Sequence, residues 1–172
     1  SSPLVGLIKE LGVFDFPFLF ANEKEAYAVF DGPAGDYFNK KLADLGLINL
    51  AYWENGFRNL TNSRNAVRKP EDVKGLKLRT MENAIHLAAW KALGANPTPM
   101  AFGELFTAMQ QKTVDGQENP FGNVVSNKFN EVQKYLTTTG HVYNASPFLL
   151  SKKFYDGLTD KEKEAVKKAA KE

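Results

Sequence analysis

All four arginines of this chain, Arg58, Arg64, Arg68 and Arg79, fall between residues 58 and 79, whereas its eighteen lysines are scattered along the whole length. A guanidinium fork grips a carboxylate bidentately and tolerates partial burial better than an ammonium group, so an arginine on a strand beside an apolar helix is a candidate anion clamp. Arg79 closes the strand-like run "LKLR" and Arg58 opens "FRNLTNS". Arg64 and Arg68 lie in a turn-rich segment and read as surface charges, and surface ion pairs worth about 0–1 kcal/mol each are the competing account of all four.

The second chemical cluster is "TVDGQENP", residues 113–120, with Asp115, Gln117, Glu118 and Asn119 ahead of Pro120. Asp115-Gly116 is a turn signal on local rules. Local rules leave Gln117, Glu118 and Asn119 as ordinary surface polar residues. The alternative from another class is a small enzyme acting on a carboxylate substrate, with Glu118 or Asp115 as general base and Arg79 orienting the anion. A structural module without ligand is a third reading.

Other chemistries lack their residues. With no cysteine and two distant histidines, His86 on a helix flank and His141 at a strand start, the sequence shows no local metal set. Nucleophile elbow, phosphate-cradling glycine loop and dinucleotide fingerprint are all missing, so no cofactor and no metal are expected. Asn59-Leu-Thr61 and Asn144-Ala-Ser146 match the glycosylation acceptor pattern and are read as chance matches.

The elements that must position these groups alternate between short helices and strands. Helices are expected from Ser2 or Pro3 to Leu11, over Glu23–Phe30 after an Asn22 cap, and from Pro33 to Leu45. Strands are expected over 47–53 and 57–63, with Asn55-Gly56 as a hairpin signal between them, and over 76–80. A helix should follow over 83–93, then a proline-rich edge segment at 97–100. Phe102, Leu105, Phe106 and Met109 fall at helical spacing over 102–112. Pro120 starts a short helix to about Asn127, 131–139 and 141–151 are strand-rich, and Thr159 with Glu162 forms a capping box for the last helix.

At 172 residues and 43% hydrophobic content the chain can bury a core, as one large domain or two small lobes. The net charge of +2 comes from 22 basic and 20 acidic residues mixed along the chain, which argues against a nucleic-acid partner. The most apolar run, residues 13–21, is interrupted by Asp15 and Pro17 and is too short to span a bilayer. The start at "SSPL" without Met reads as the interior of something longer, so no signal peptide is available to assign the compartment.

"GLKLR" at 75–79, "ALGANPTPMAFGELFTAMQQKTVDGQENP" ending at 120, "KFNEVQKYLTTTGHVYN" and "LLSKKFYDGL" together resemble the DctP-type substrate-binding proteins of TRAP (tripartite ATP-independent periplasmic) transporters. "FDFPFLF" and "GFRNLTNSR" are similar to the same family. The resemblance implies a two-lobed α/β periplasmic binding protein of type II-like architecture. Its ligand cleft would lie between lobes joined by crossing strands, and the chain would be truncated at both ends. Residues 57–144 would form most of one lobe, and 1–56 with 145–172 parts of the other.

By that likeness the protein is not an enzyme. It would bind a small organic acid anion, such as a sugar acid, in the periplasm and pass it to membrane permease subunits; it would not itself span the membrane, and would be a monomer at full length. Arg79 would clamp the ligand carboxylate, Arg58 assist, Asn119 bond the same carboxylate and Phe102 wall the cleft, with His141 and Glu118 approaching the rest of the ligand. Many relatives continue the clamp strand as "RVP", whereas this chain has Thr80, Met81, Glu82 and Asn83. Glu82 is then placed to accept from ligand hydroxyls or an amine, which favours a hydroxylated or nitrogen-bearing acid.

Overall fold

The computed structural model describes residues 2–172. Its helices and strands run α1 Glu23–Phe30, α2 Pro33–Asp44, β1 Leu47–Phe57, β2 Asn59–Asn62, β3 Lys77–Thr80, α3 Ala84–Ala92 and β4 Asn96–Pro99. They continue as α4 Leu105–Gln110, β5 Gly116–Asn119, α5 Phe121–Ser126, β6 Tyr135–Thr137, β7 Tyr143–Ser151, α6 Lys152–Asp156 and α7 Asp160–Ala169. Asn22 caps α1 through Glu25 N–H, and Thr159 with Glu162 forms the expected capping box on α7.

Three local expectations are corrected. The first helix is two 3-10 segments, Ser2–Gly6 and Lys9–Asp15. The stretch 131–139 contributes only β6, after a 3-10 turn at Phe129–Glu131. Asn55-Gly56 makes no hairpin: β1 runs through it with Gly56 at φ +102°, and pairs with β7 while β2 pairs elsewhere. The backbone there needs a left-handed residue, which glycine supplies without a Cβ clash, but it serves a bend in a continuing strand.

The chain forms two compact units, residues 20–55 with 145–172, and residues 2–19 with 56–144. Residues 2–19, expected with the rest of 1–56 in the other lobe, pack instead with 56–144. Buried polar bonds explain this: Asp15 accepts from Asn83 Nδ2 at 2.7 Å, Ser2 Oγ accepts from Asn144 Nδ2 at 2.8 Å, and Phe18 N–H donates to the His141 carbonyl at 2.8 Å.

In the first unit, Phe30 meets Phe20 and Tyr52, with ring centroids 6.2 and 5.1 Å apart, and Phe38 and Leu42 of α2 are buried. Trp53 stacks on Phe148 at 4.6 Å and donates Nε1–H to the Ala170 carbonyl at 2.7 Å.

The second unit is built on a five-stranded sheet in the order β4-β3-β5-β2-β6. β3 is parallel to β4 and β5, and β2 is antiparallel to β5 and β6. One apolar cluster gathers Leu60, Val67, Val73, Leu76, Leu78, Trp90 and Ala95, and a second gathers Leu105, Ala108, Met109, Val114, Val124 and Phe129. β4, "NPTP", lies at the sheet edge as its prolines require. In β5, Gly116 sits so close to β2 that a Cβ would lie 2.2 Å from the Thr61 carbonyl oxygen. Asp115-Gly116 is therefore the start of a strand at a tight backbone approach. No helix among the described residues is long and apolar enough to cross a membrane.

Candidate functional site

The register of the second unit decides which side chains meet. Arg79 pairs with Gln117 across β3 and β5, and Asn119 lies two residues beyond Gln117, so alternation puts Arg79, Gln117 and Asn119 on one face. Leu78, Thr80 and Glu118 take the other face. Arg79 and Asn119 also stand at the carboxyl ends of adjacent parallel strands, where open α/β sheets hold their ligands.

Arg79 is 2% exposed. Its Nε and Nη2 donate to the Met100 carbonyl at 2.9 and 2.7 Å, while Nη1 is buried without a hydrogen-bond partner among the described residues. The Thr80 hydroxyl next in sequence is in the same condition. Leaving a buried donor unpaired costs about 1–3 kcal/mol, and more when it is charged. Burial, with Arg58 nearby, pushes the Arg79 pKa down to about 10 against the upward pull of Glu118 and Glu82, so the group is charged at neutral pH. The Phe102 ring centroid is 5.9 Å from Arg79 Cζ and 5.8 Å from the Phe129 ring, and Phe102 remains 43% exposed. Asn119 donates Nδ2–H to Gln117 Oε1, and Gln117 donates in turn to the Thr61 hydroxyl at 2.9 Å. A buried cation, an aromatic ring and an oriented amide thus stand together, with one guanidinium edge uncommitted among the described residues.

Arg58 has a different situation. Its Nε and Nη2 donate to Glu118 Oε2 and Oε1 at 2.5 and 2.9 Å, Nη2 also reaches the Glu118 carbonyl and Asn119 Oδ1, and Nη1 donates to Asn144 Oδ1 at 3.0 Å. The pair is almost wholly buried. His141 completes it, with Nε2 3.0 Å from Glu118 Oε2, Nδ1 2.8 Å from the Thr139 hydroxyl, and its ring edge-on to Trp90 at 5.1 Å. Glu118 thus bonds both Arg58 and His141, and Arg58 orients the Asn119 amide. Glu82 is exposed in the loop after β3, close enough to act on Arg79 by charge.

The enzyme alternative fails on the same geometry. Burial alone would raise the Glu118 pKa, but Arg58 and the contacts from both histidines hold it well below the usual carboxylate range. A base so stabilised as its anion has little drive to take a proton. Asp115 accepts the Lys77 backbone N–H at 2.9 Å and faces Arg64 at 3.5 Å, a structural role. Asn59 and Asn144 of the glycosylation matches are both 4% exposed and committed to internal bonds.

Sequence reasoning missed Asp15 and His86. His86 is buried, with Nε2 3.1 Å from Asp15 Oδ1 and Nδ1 3.9 Å from Glu118 Oε1. The available signal was Asp15 itself, a lone acid inside the aromatic run "FDFPFLF", since a carboxylate so placed is buried only when paired.

The whole chain, residues 1–172, matches the family described as bacterial extracellular solute-binding protein, family 7, known as DctP. It is 42% identical over all 172 residues to the 2,3-diketo-L-gulonate-binding periplasmic protein YiaO of Escherichia coli, covering 52% of that protein. The crystal structure of the sugar acid binding protein DctPAm from Advenella mimigardefordensis in complex with galactonate matches with a TM-score of 0.95 at 54% identity, over 98% of this chain and 55% of that one. A TRAP periplasmic solute-binding protein from Polaromonas bound to D-erythronate matches with a TM-score of 0.94 at 47% identity, over 99% of this chain and 56% of that one. The chain therefore spans about half the length of its relatives. It belongs to the DctP family of solute-binding proteins, two-lobed α/β transport components that are not enzymes.

Proposed function

We propose that the protein is the periplasmic solute-binding component of a TRAP transporter, capturing a hydroxylated organic acid anion and delivering it to membrane permease subunits. The buried Nη1 edge of Arg79 carries this reading: a guanidinium fixed by the Met100 carbonyl and walled by Phe102 has one donor edge uncommitted, and a carboxylate supplies its acceptors. Asn119 offers the second contact to the same carboxylate. Arg58 and His141 act one step back, because their donors are taken by Glu118, Asn119 and Asn144. Glu82 would accept from ligand hydroxyls, in keeping with the galactonate and D-erythronate held by the two solved relatives.

The test is a thermal-shift screen of the natural full-length protein against organic acids, including galactonate, D-erythronate and succinate. A ligand at 100 times its dissociation constant adds about 2.7 kcal/mol of stability. A shift with the hydroxylated acids and full recovery of unchanged ligand is expected; no shift with any acid would refute the assignment.

A further inference from the structure

On the sheet face opposite Arg79, buried polar groups close into a ring. Arg58 holds Glu118; Glu118 Oε1 faces His86 Nδ1 at 3.9 Å; His86 Nε2 meets Asp15 Oδ1 at 3.1 Å. Asp15 Oδ1 accepts from the Ser2 hydroxyl, Ser2 Oγ accepts from Asn144 Nδ2 at 2.8 Å, and Asn144 Oδ1 accepts from Arg58 Nη1 at 3.0 Å. Ser2, Asp15, Arg58, His86, Glu118 and Asn144 are each no more than 4% exposed. The ring ties the segment 2–19, α3, β5 and the ends of β1 and β7 together.

Its charges do not balance without a proton on histidine. Arg58 contributes one positive charge, and Glu118 and Asp15 one negative each, leaving a net buried negative charge of the kind that proteins compensate. Arg79 acts on Glu118 by charge from the opposite face without bonding to the ring; among the described residues, His86 and His141 are the further titratable groups in contact with its carboxylates. His141 meets one carboxylate and one hydroxyl, with Nε2 3.0 Å from Glu118 Oε2 and Nδ1 2.8 Å from the Thr139 hydroxyl. His86 has a carboxylate at each nitrogen, so a neutral ring would turn a lone pair towards one of them.

We propose that His86 is held as a buried imidazolium that neutralises this ring, and that His86 and Asp15 are positioning residues for the ligand amide of Asn119. The coupling runs through Arg58, which donates to Glu118 and, at 3.2 Å, to Asn119 Oδ1. With Oδ1 held by Arg58 and one Nδ2 hydrogen given to Gln117, the second Nδ2 hydrogen is the one turned to an anion. The positioning consequence rests on the clamp reading above; the charge on His86 does not.

Nitrogen-15 NMR of the histidine rings in the natural full-length protein reads the charge without any ligand. Both His86 nitrogens should carry protons just above about pH 6.5, the ordinary histidine value. A neutral His86 at that pH would overturn the proposal. Calorimetry with galactonate reads the coupling: His86→Gln should weaken binding about tenfold, and Asp15→Asn added to His86→Gln should recover most of that loss by restoring neutrality. A double variant no better than His86→Gln alone would refute the charge-balance account. A parent that shows the imidazolium and yet ignores galactonate would count against the proposed ligand class, while supporting the charge assigned to His86.

Discussion

Arg79 and Asn119 face the same side of the sheet from the carboxyl ends of two neighbouring parallel strands, with Gln117 as the register partner of the one and the hydrogen-bond partner of the other. If they share a carboxylate, Arg79→Ala leaves that anion desolvated and unpaired, at a cost of about 2–5 kcal/mol in affinity. Arg79→Lys should restore little, because an ammonium cannot reproduce the fork that Met100 orients. Calorimetry with galactonate decides this, and a loss below tenfold for the alanine variant would sink the clamp.

Phe102→Ala should cost less. The ring contributes a cation–π contact worth about 0.5–2 kcal/mol and helps exclude water from the guanidinium. Binding should weaken roughly tenfold while the urea midpoint hardly moves, since Phe102 is 43% exposed.

Glu82→Gln separates hydroxyl recognition from carboxylate recognition. Galactonate affinity should fall about tenfold, on the scale of one charge-assisted hydrogen bond, and succinate affinity should not fall. An equal loss for both acids would show that Glu82 does not recognise the hydroxyls.

Stability should depend on pH through the buried ring. His86 feels burial pushing its pKa down, but the Asp15 and Glu118 contacts win and raise it above 6.5. Its stabilisation is full below 6.5 and is lost as pH rises through the native value. Asp15 and Glu118 are also pushed up by burial yet end lowered, by the bonds from His86 and Ser2 and by the Arg58 charge respectively. Their stabilisation is full above about 4.5 and is lost as pH falls through the native values. Urea unfolding should give a plateau between about 4.5 and 6.5 and decline on both sides. His86→Gln should remove the alkaline decline.

Gly116→Ala is expected to destabilise by several kcal/mol, because the new Cβ would meet the Thr61 carbonyl at 2.2 Å and the Asn62 Cα at 2.9 Å, both backbone atoms. Denaturant titration measures the loss, and a variant as stable as the parent would show that β2 and β5 can move apart.

Elements with their own punctuation were legible from sequence: α1 behind Asn22, α7 behind Thr159, and β4 at an edge because of its prolines. What escaped depends on partners remote in sequence. Gly56 reads locally as a turn, but β1 finds β7 about ninety residues later and stays a strand. Asp115-Gly116 reads as a turn until β2 is seen against it. In the candidate site, Arg79 stood out as a strand arginine and Asn119 and Phe102 only through the family resemblance, whereas the commitment of Arg58 to Glu118 was not legible, because a guanidinium that grips a ligand and one that grips a buried glutamate carry the same letter. His86 was read as a helix flank, and only the approach of segment 2–19 makes it the partner of Asp15.

The edge strand β4 has a consequence for how the protein survives at high concentration. Asn96 N–H and Met100 N–H turn inward, to the Leu76 and Thr80 carbonyls at 2.8 and 3.3 Å, so the alternate residues Pro97 and Pro99 occupy the outward positions. Proline has no N–H to offer, and a strand from another molecule approaching this edge finds no backbone donors to pair with. Aggregation by strand addition is disfavoured on that side by sequence, and replacing both prolines with threonine should expose the protein to it.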